Sequence, residues 1–524
     1  MTGSSANVEQ QREAMRESQP NLPAKHLALS ILTGLLLVLL FPNFSLGFLA
    51  WIALVPLLLV IYEAEPKLSF FLGWLSGIIF FAGLNYWLLV LYSLVNILAI
   101  LAWTGLAVFE GLFIGVFALG ASIIRRNYAG WVRLFVIPAG WVGLELIRSV
   151  GWWGFPWGLL GYSQQPFFAL TQIASVTGVY GVSFLIFMLN VSLIEILTAP
   201  LEKRRNALRY LLVALIVMSN VVIAGSYMLK STVKNRTAKK SKSNLRVVAV
   251  QGSISQEDKW DPSKEDYIKR TYYRLTDNAK KYRPYLVVWP ETAHPSFLLH
   301  DQFYLNRLKL LAKRNDYYLI VGSLHLGDKS RQYNSAIQIS PRGRVLKRYE
   351  KIHLVLFGEY IPFEFIGDIF SRFEKLSWLG ESIMPGNDYT VFTTERGKFS
   401  TVICFESADA NLCRRMVGKG ARLLTVITND AWFGKTAAAA QHLQISSFRA
   451  VENGVYLLQV ANTGISGVVD PRGRILTRSS LFKRQLLAGE VSFKDSKTFY
   501  NKWGDVFAYL CLLLFLGCLI RVFF

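Results

Sequence analysis

Three polar residues of this chain stand where apolar strands end, each in an unusual local sequence: Glu291 in VVWPETA, Lys351 in RYEKIHLVLFGEYIP and Cys404 in TVICFES. A carboxylate, an ammonium and a thiol suffice for acyl transfer. The carboxylate takes the thiol proton as general base, the thiolate attacks a carbonyl, the ammonium stabilises the oxyanion, and the acyl group rests as a thioester. Singly, each residue has a plainer reading. A Cys after apolar residues is more often a small core hydrophobe, a Glu before Thr caps a turn, and a Lys beside Glu350 suits a surface. The combination is what points to chemistry. A glutamate alone is a weak base for a thiol, so the lysine and nearby backbone N–H groups are expected to favour the thiolate. Other chemistries lack their residues: there is no HExxH, CxxC or GxSxG, and the six histidines are scattered. GSLHLGDKS (322–330) spaces its glycines like a phosphate loop but carries Asp328 where the lysine must be. No metal or other cofactor is expected.

The elements that must position these residues alternate between strand and helix. Strands are expected at 245–254, 285–292 and 317–325, with helices near 263–282 and 301–315 between them. Two antiparallel strands joined by SPRGR follow, then FSTVICFE, a helix to about 418, a strand at 422–430, a helix near 438–453 and a strand at 455–464. Nearly uniform apolar strands of this kind belong to a sheet covered by helices, an α+β pattern. ISPRGRVLKR (339–348) and VVDPRGRILTR (468–478) resemble each other and are read as two Pro-initiated turns at matching sheet positions.

Around this unit the composition changes. The chain of 524 residues is 52% hydrophobic and carries a net charge of +22, averages that hide two regimes. Apolar runs of about 17 to 25 residues are long enough to span hydrocarbon as helices. Eight are placed, at 27–41, 46–62, 68–92, 95–124, 131–149, 178–198, 207–229 and 505–523. The expected organisation is a tail (1–26), a membrane domain with seven helices (27–229), a basic linker (230–244), a catalytic domain (245–502) and a terminal membrane helix (503–524). The polar tail lacks the small-residue cleavage site of a removed signal peptide. RRNYAGWVR (125–133), EKRRNALR (202–209) and the tail with Arg12, Arg16 and Lys25 fall on one side in this count, and the opposite loops lack Lys and Arg. That charge bias puts the basic side in the cytoplasm and the 245–502 domain outside. Basic residues spread without a nucleic-acid-binding signature, so nucleic acid is not an expected partner.

WPETA, YEKIHLVLFGEYIP, VICFES and TNDAWFG together resemble the nitrilase (carbon-nitrogen hydrolase) superfamily, whose members use a Glu-Lys-Cys triad in an αββα sandwich. Such a domain between a seventh and an eighth membrane helix is similar to one family, the bacterial apolipoprotein N-acyltransferases. WVGLELIRS followed by GFPWGLLGYSQ (154–164) resembles that family's stretch before helix six, and the likeness runs from about Leu27 to Phe524. The resemblance implies Glu291 as general base, Lys351 as oxyanion stabiliser and Cys404 as nucleophile. It implies Glu359 as a further carboxylate that positions the lysine, Glu406 as a supporting acid, and Trp260, in EDKWDP, as an aromatic near a lipid-facing opening. Phe405 stands where the family often has Tyr, and Leu356 where it often has Pro.

The reaction so implied moves an acyl chain from a phospholipid through Cys404 to the α-amino group of a diacylglyceryl-cysteine at an apolipoprotein's N-terminus. The expected setting is the bacterial inner membrane, with the catalytic domain periplasmic and the protein a monomer among membrane lipids. Two alternatives stand beside it: a membrane-tethered amidase or nitrilase, and a lipid-binding membrane protein without catalysis. Trp432 and Phe433 are read as lining an acyl pocket or as core. Glu145 and Arg148 are read as a structural pair, Trp152, Trp153, Phe155 and Trp157 as an interfacial belt, and Arg449 with Glu452 as a surface or packing pair.

Overall fold

The computed structural model describes residues 24–238, 244–328, 331–356, 358–360, 383–493 and 497–524. Arg12 and Arg16 of the tail, residues 239–243 of the linker, and Phe357, Ile361 and Pro362 of FGEYIP lie outside them. The N-terminal half is helical: α1 (Ala24–Leu39), α2 (Val55–Glu63), α3 (Pro66–Leu84), α4 (Ile97–Asn127), α5 (Gly130–Ile147), α6 (Val179–Thr198) and α7 (Arg204–Ala238). Six helices of the described chain are long and apolar enough to cross a membrane, α1 and α2 being shorter apolar helices. The chain is a membrane protein.

Two of the expected spans are interrupted. The 46–62 run begins as a 3-10 turn, Gly47–Trp51, before α2, and the 68–92 run ends as α-helix at Leu84, continuing as a 3-10 segment, Tyr86–Leu91. At the break the Leu84 carbonyl accepts from the Gln441 amide at 3.2 Å, from the other half of the molecule. α7 runs beyond 229 into the basic stretch, so that part is helix rather than linker. α3 and α4 pack through small residues; a Cβ on Gly77 would lie 2.6 Å from the Gly111 Cα, the close approach that small residues permit between membrane helices. Arg148 pairs with Glu110 of α4 at 3.1 Å, not with Glu145. The Glu145 carboxylate instead accepts from the Trp141 indole and the Leu160 N–H.

The second half is a two-sheet sandwich. One sheet has the order β13-β1-β2-β4-β5-β6, with β3 beside β4, and the other β12-β11-β10-β9-β8-β7. The strands are β1 (Leu245–Gln251), β2 (Leu286–Val288), β3 (His294–Phe297), β4 (Tyr318–Leu326), β5 (Gln332–Ile339), β6 (Val345–Glu350) and β7 (Phe392–Thr394). They continue as β8 (Gly397–Ile403), β9 (Leu423–Thr428), β10 (Tyr456–Ala461), β11 (Gly467–Val469), β12 (Ile475–Arg478) and β13 (Gln485–Val491). Each sheet has three parallel strands at its centre, β1-β2-β4 and β8-β9-β10. Successive side chains of a strand point to opposite faces. Val247 and Ala249 accordingly enter the core between the sheets, while Val248 and Val250 pack under α8 (Glu265–Asn278) and α9 (Gln302–Asn315). α10 (Ala410–Gly418) and α11 (Ala438–Asn453) cover the other sheet, giving αββα. α11 turns Ala439, Leu443 and Ala450 to the sandwich and Ile445, Phe448 and Val451 to the membrane helices. The last helix, α12 (Val506–Phe523), returns to the membrane domain, its Phe515 ring lying over Gly120 and Gly140.

The two PRGR turns occupy matching positions, each joining an antiparallel pair at a sheet edge, with Gly343 and Gly473 both at positive φ (71° and 80°). Their surroundings differ. The Arg472 and Gly473 carbonyls accept from Gln172 and Gln165 of the membrane domain, whereas Arg342 is exposed.

Candidate active site

Glu291 follows β2, Lys351 follows β6, Cys404 follows β8 and Asn429 follows β9. β6 runs in the same direction as β2 because two antiparallel pairings separate it from β4. The strand ends therefore share one rim, and the sequence-predicted triad meets there.

Cys404 has φ +55° and opens a 3-10 turn, Cys404–Ser407. A non-glycine residue in the left-handed region needs its surroundings to hold it, at a cost of about 1–3 kcal/mol. Glu406 supplies that hold. Its fully buried carboxylate accepts from the Ile403 N–H at 2.7 Å, the Tyr349 hydroxyl at 2.7 Å, and the Ile352 and His353 N–H groups at 2.7 and 3.0 Å. One side chain thus binds the Cys404 turn to the segment that follows Lys351. Burial raises the Glu406 pKa, against Lys351 and these donors, which lower it.

Glu291 is 7% exposed and accepts from the Asn334 amide at 2.8 Å and the Asn429 N–H at 2.9 Å. Lys351 is buried; its ammonium donates to Glu359 Oε1 at 2.8 Å and lies 3.8 Å from Glu291 Oε1. Asn334 also reaches Glu359 at 3.4 Å, so both carboxylates share one amide. The other Glu359 oxygen accepts from the Val355 N–H at 2.9 Å. Burial pulls the Lys351 pKa down, but Glu359 and then Glu291 outweigh it and hold it above the ordinary value, so the ammonium stays charged. The Cys404 thiol moves opposite to expectation. Burial first, and the Glu291 carboxylate second, push its pKa up, and the pull of Lys351 and the Thr428 hydroxyl does not reverse this. Cys404 therefore rests as a thiol, and any reaction through its sulfur requires a base to take the proton.

The remaining predicted residues are placed as follows. Trp260 is 47% exposed, at the end of a short helix, Gln256–Lys259. Trp432 lies half-buried in the turn Asp430–Phe433, and it is Phe433 that meets the membrane domain, edge-on to Trp87 at 4.4 Å. Trp152 and Trp153 are exposed beyond α5, as a belt requires, but Phe155 and Trp157 are not in it. They stack on Phe405, at interplanar angles of 14° and 7°, so the residue after Cys404 holds its turn against the membrane domain. Arg449 and Glu452 form a fully buried packing pair at 2.8 Å, with Arg449 also donating to the Ala408 carbonyl and the Tyr162 hydroxyl.

Several residues at the site were not singled out from sequence. Asn334 lies mid-strand, and its neighbours carry no signal. Lys259 is buried beside Trp260 and donates to the Glu291 carbonyl at 3.0 Å. His442 of α11 lies 3.2 Å from the Cys404 carbonyl oxygen, 2.8 Å from Ser407 Oγ and, through its other nitrogen, 3.0 Å from Asp430. Asp430 stood inside the quoted TNDAWFG without a role. Gln441, one residue before His442, accepts from the Trp87 and Trp157 indoles at 3.1 and 2.7 Å. Among the described residues no group of three or more His, Cys, Asp or Glu is arranged to hold a metal ion.

A Glu-Lys-Cys rim on an αββα sandwich, mounted on a helical membrane domain, defines the class as membrane-embedded carbon-nitrogen hydrolase folds. Residues 246–500 match the family model for carbon-nitrogen hydrolases, and residues 33–192 match that for the apolipoprotein N-acyltransferase N-terminal domain. An apolipoprotein N-acyltransferase of Geobacter metallireducens is 37% identical over 94% of this chain and 94% of its own. One of Thermotoga maritima is 32% identical over 93% of this chain and 92% of its own. The chain belongs to the apolipoprotein N-acyltransferase family.

Proposed function

We propose that this protein moves an acyl chain from a membrane phospholipid to the α-amino group of the S-diacylglyceryl-cysteine that begins an apolipoprotein. In the first half-reaction Glu291 takes the Cys404 proton as sulfur attacks the ester carbonyl; Lys351 stabilises the oxyanion, and the lysophospholipid leaves with the proton from Glu291. In the second, the acceptor amine attacks the thioester and loses a proton to Glu291, which returns it to the departing sulfur. Glu359 holds Lys351, Glu406 holds the turn, and Trp260 and Trp432 flank the approach of the lipid chains. Residues 27–229 and 503–524 keep both substrates in the bilayer, and 245–502 stands on the periplasmic side of the inner membrane, joined through the end of α7 and the residues that follow it. The protein works as a monomer and takes no cofactor, because the thioester conserves the activation of the donor ester.

The observation that carries this reading is the meeting of Glu291, Lys351 and Cys404 at a rim whose nucleophile turn packs, through Phe405, on the membrane domain. A soluble amidase has no use for that packing. Incubation with phospholipid vesicles followed by peptide mass spectrometry is expected to find an acyl adduct on Cys404. Cys404→Ala is expected to lose both the adduct and N-acylation of a diacylated lipopeptide. Absence of the adduct on the wild-type protein, or transfer by Cys404→Ala, overturns the mechanism. Labelling of tags placed within 245–502 from the cytoplasmic side overturns the orientation.

A further inference from the structure

Lysine is almost never fully buried unless paired, yet Lys259 is 3% exposed. Among the described residues its ammonium has one hydrogen-bond acceptor, the neutral Glu291 carbonyl at 3.0 Å, and no carboxylate within ion-pair distance. The position is built rather than incidental. Ser255 caps the short helix that carries it, accepting from the Asp258 N–H at 3.1 Å. Gln256 of the same helix accepts at 2.9 Å from the side chain of Asn429, whose N–H holds the Glu291 carboxylate. A methionine could occupy such a site without the cost of burying a charge.

The charges at the rim show what the ammonium does there. Lys351 is held most closely by Glu359, at 2.7 Å, and lies farther from Glu291, at 3.8 Å. Lys259 is the second cation, and the titratable groups that act on it are Glu291 and Cys404. Cys404 in turn faces Glu291, Lys351 and Asp430. When the thiol proton passes to Glu291, negative charge shifts from the carboxylate to sulfur, and Lys259, which interacts electrostatically with both groups, is present before and after the transfer.

We infer that Lys259 is a positioning and electrostatic residue of the acyl-transfer site, fixing the Glu291 peptide and supporting the negative charge that develops on Cys404. The inference rests on Cys404 as the nucleophile. Burial lowers the Lys259 pKa to about 8, with Glu291 and Cys404 opposing, so the supporting charge is present below that pH and lost above it.

The test is alkylation of Cys404 by iodoacetamide in the full-length detergent-solubilised protein, read at that residue by peptide mass spectrometry across pH, for wild type, Lys259→Met and Lys259→Arg. Below about pH 8, Lys259→Met is expected to react about tenfold more slowly, equivalent to about one unit in the thiol pKa. Lys259→Arg, which keeps the charge, is expected to stay close to wild type there. As wild-type Lys259 loses its proton, the gap between wild type and Lys259→Met is expected to close by about pH 10, near the ordinary lysine range. Superimposed profiles at pH 7 overturn the inference, and so does a deficit that persists undiminished at high pH, since lost packing does not titrate. These outcomes are separate from the acyl-adduct experiment: an adduct on wild-type Cys404 with superimposed alkylation profiles defeats Lys259 alone, and no adduct defeats the acyl-transfer reading.

Discussion

α9 and α11 do the same architectural work, each covering one sheet of the sandwich, and their sequences invert the usual expectation. α9 exposes two large apolar residues, Phe303 and Leu310, each 65% accessible. α11 is rich in polar side chains, Gln441, His442, Gln444, Arg449, Glu452 and Asn453 among them, yet every residue of it except Ala440 is buried. The difference is what lies beyond each helix. Among the described residues the outer face of α9 has nothing over it, whereas α11 is enclosed between a sheet and the membrane domain. Its polar groups span that gap: Gln441 binds Trp87, Trp157 and two carbonyls, Glu452 accepts from the Val179 N–H, and His442 reaches the Cys404 carbonyl. Polarity along a helix marks exposure only where nothing polar is available to pair with it.

The comparison breaks most readily at Arg449. Arg449→Met leaves Glu452 buried without its partner, an arrangement that costs about 3–5 kcal/mol, and a large fall in melting temperature in detergent is expected. Adding Glu452→Leu is expected to restore part of it. The matched change on α9, Arg307→Met, removes contacts over Tyr273, Phe303 and Tyr304 and is expected to cost far less. Equal losses in the two variants would sink the distinction. His442→Ala comes next, since it strips a partner from buried Asp430 and Ser407 and from the Cys404 carbonyl. An expected stability loss of about 2–3 kcal/mol should be accompanied by acyl-adduct formation at least about tenfold slower, measured as the initial rate of Cys404 modification. If the rate is unchanged while stability falls, His442 supports the fold and not the nucleophile.

Gln441→Leu orphans two indole N–H groups at the contact between the halves, and a loss of about 1–2 kcal/mol is expected. Quenching of Trp87 and Trp157 fluorescence by an aqueous quencher should rise with it, if this residue seals the contact. The smallest effect is on the far helix. Phe303→Ser and Leu310→Ser are expected to move stability by no more than about 0.5 kcal/mol. A larger destabilisation would mean that α9 is covered by something, and the contrast with α11 would then lose its basis.

Much of this molecule was legible before any coordinates. The triad could be read because each member sits next to its own strand in a short distinctive sequence. The strands and membrane helices could be read because apolar periodicity is a local property. Each departure involved residues remote in sequence. Arg148 was assigned its neighbour on the same helix, Glu145, when its partner is Glu110 of another helix. The apolar run through 68–92 gave no sign that Gln441, more than 350 residues on, takes the Leu84 carbonyl and the Trp87 indole. Phe155 and Trp157 look like a membrane belt in composition, and only docking against Phe405 removes them from it.

The sequence by itself determined the two-part architecture and the family, and it singled out Glu291, Lys351 and Cys404 as a candidate set, since these depend on composition, period and short motifs. The tertiary structure decided which polar groups are buried and what they face. It made the Cys404 thiol harder to ionise rather than easier, because burial and the Glu291 carboxylate outweigh Lys351. It also brought Lys259 to the Glu291 carbonyl and His442 to the Cys404 carbonyl. Desolvation and the sum of neighbouring charges depend on how layers pack in three dimensions, and no local stretch of sequence carries that information.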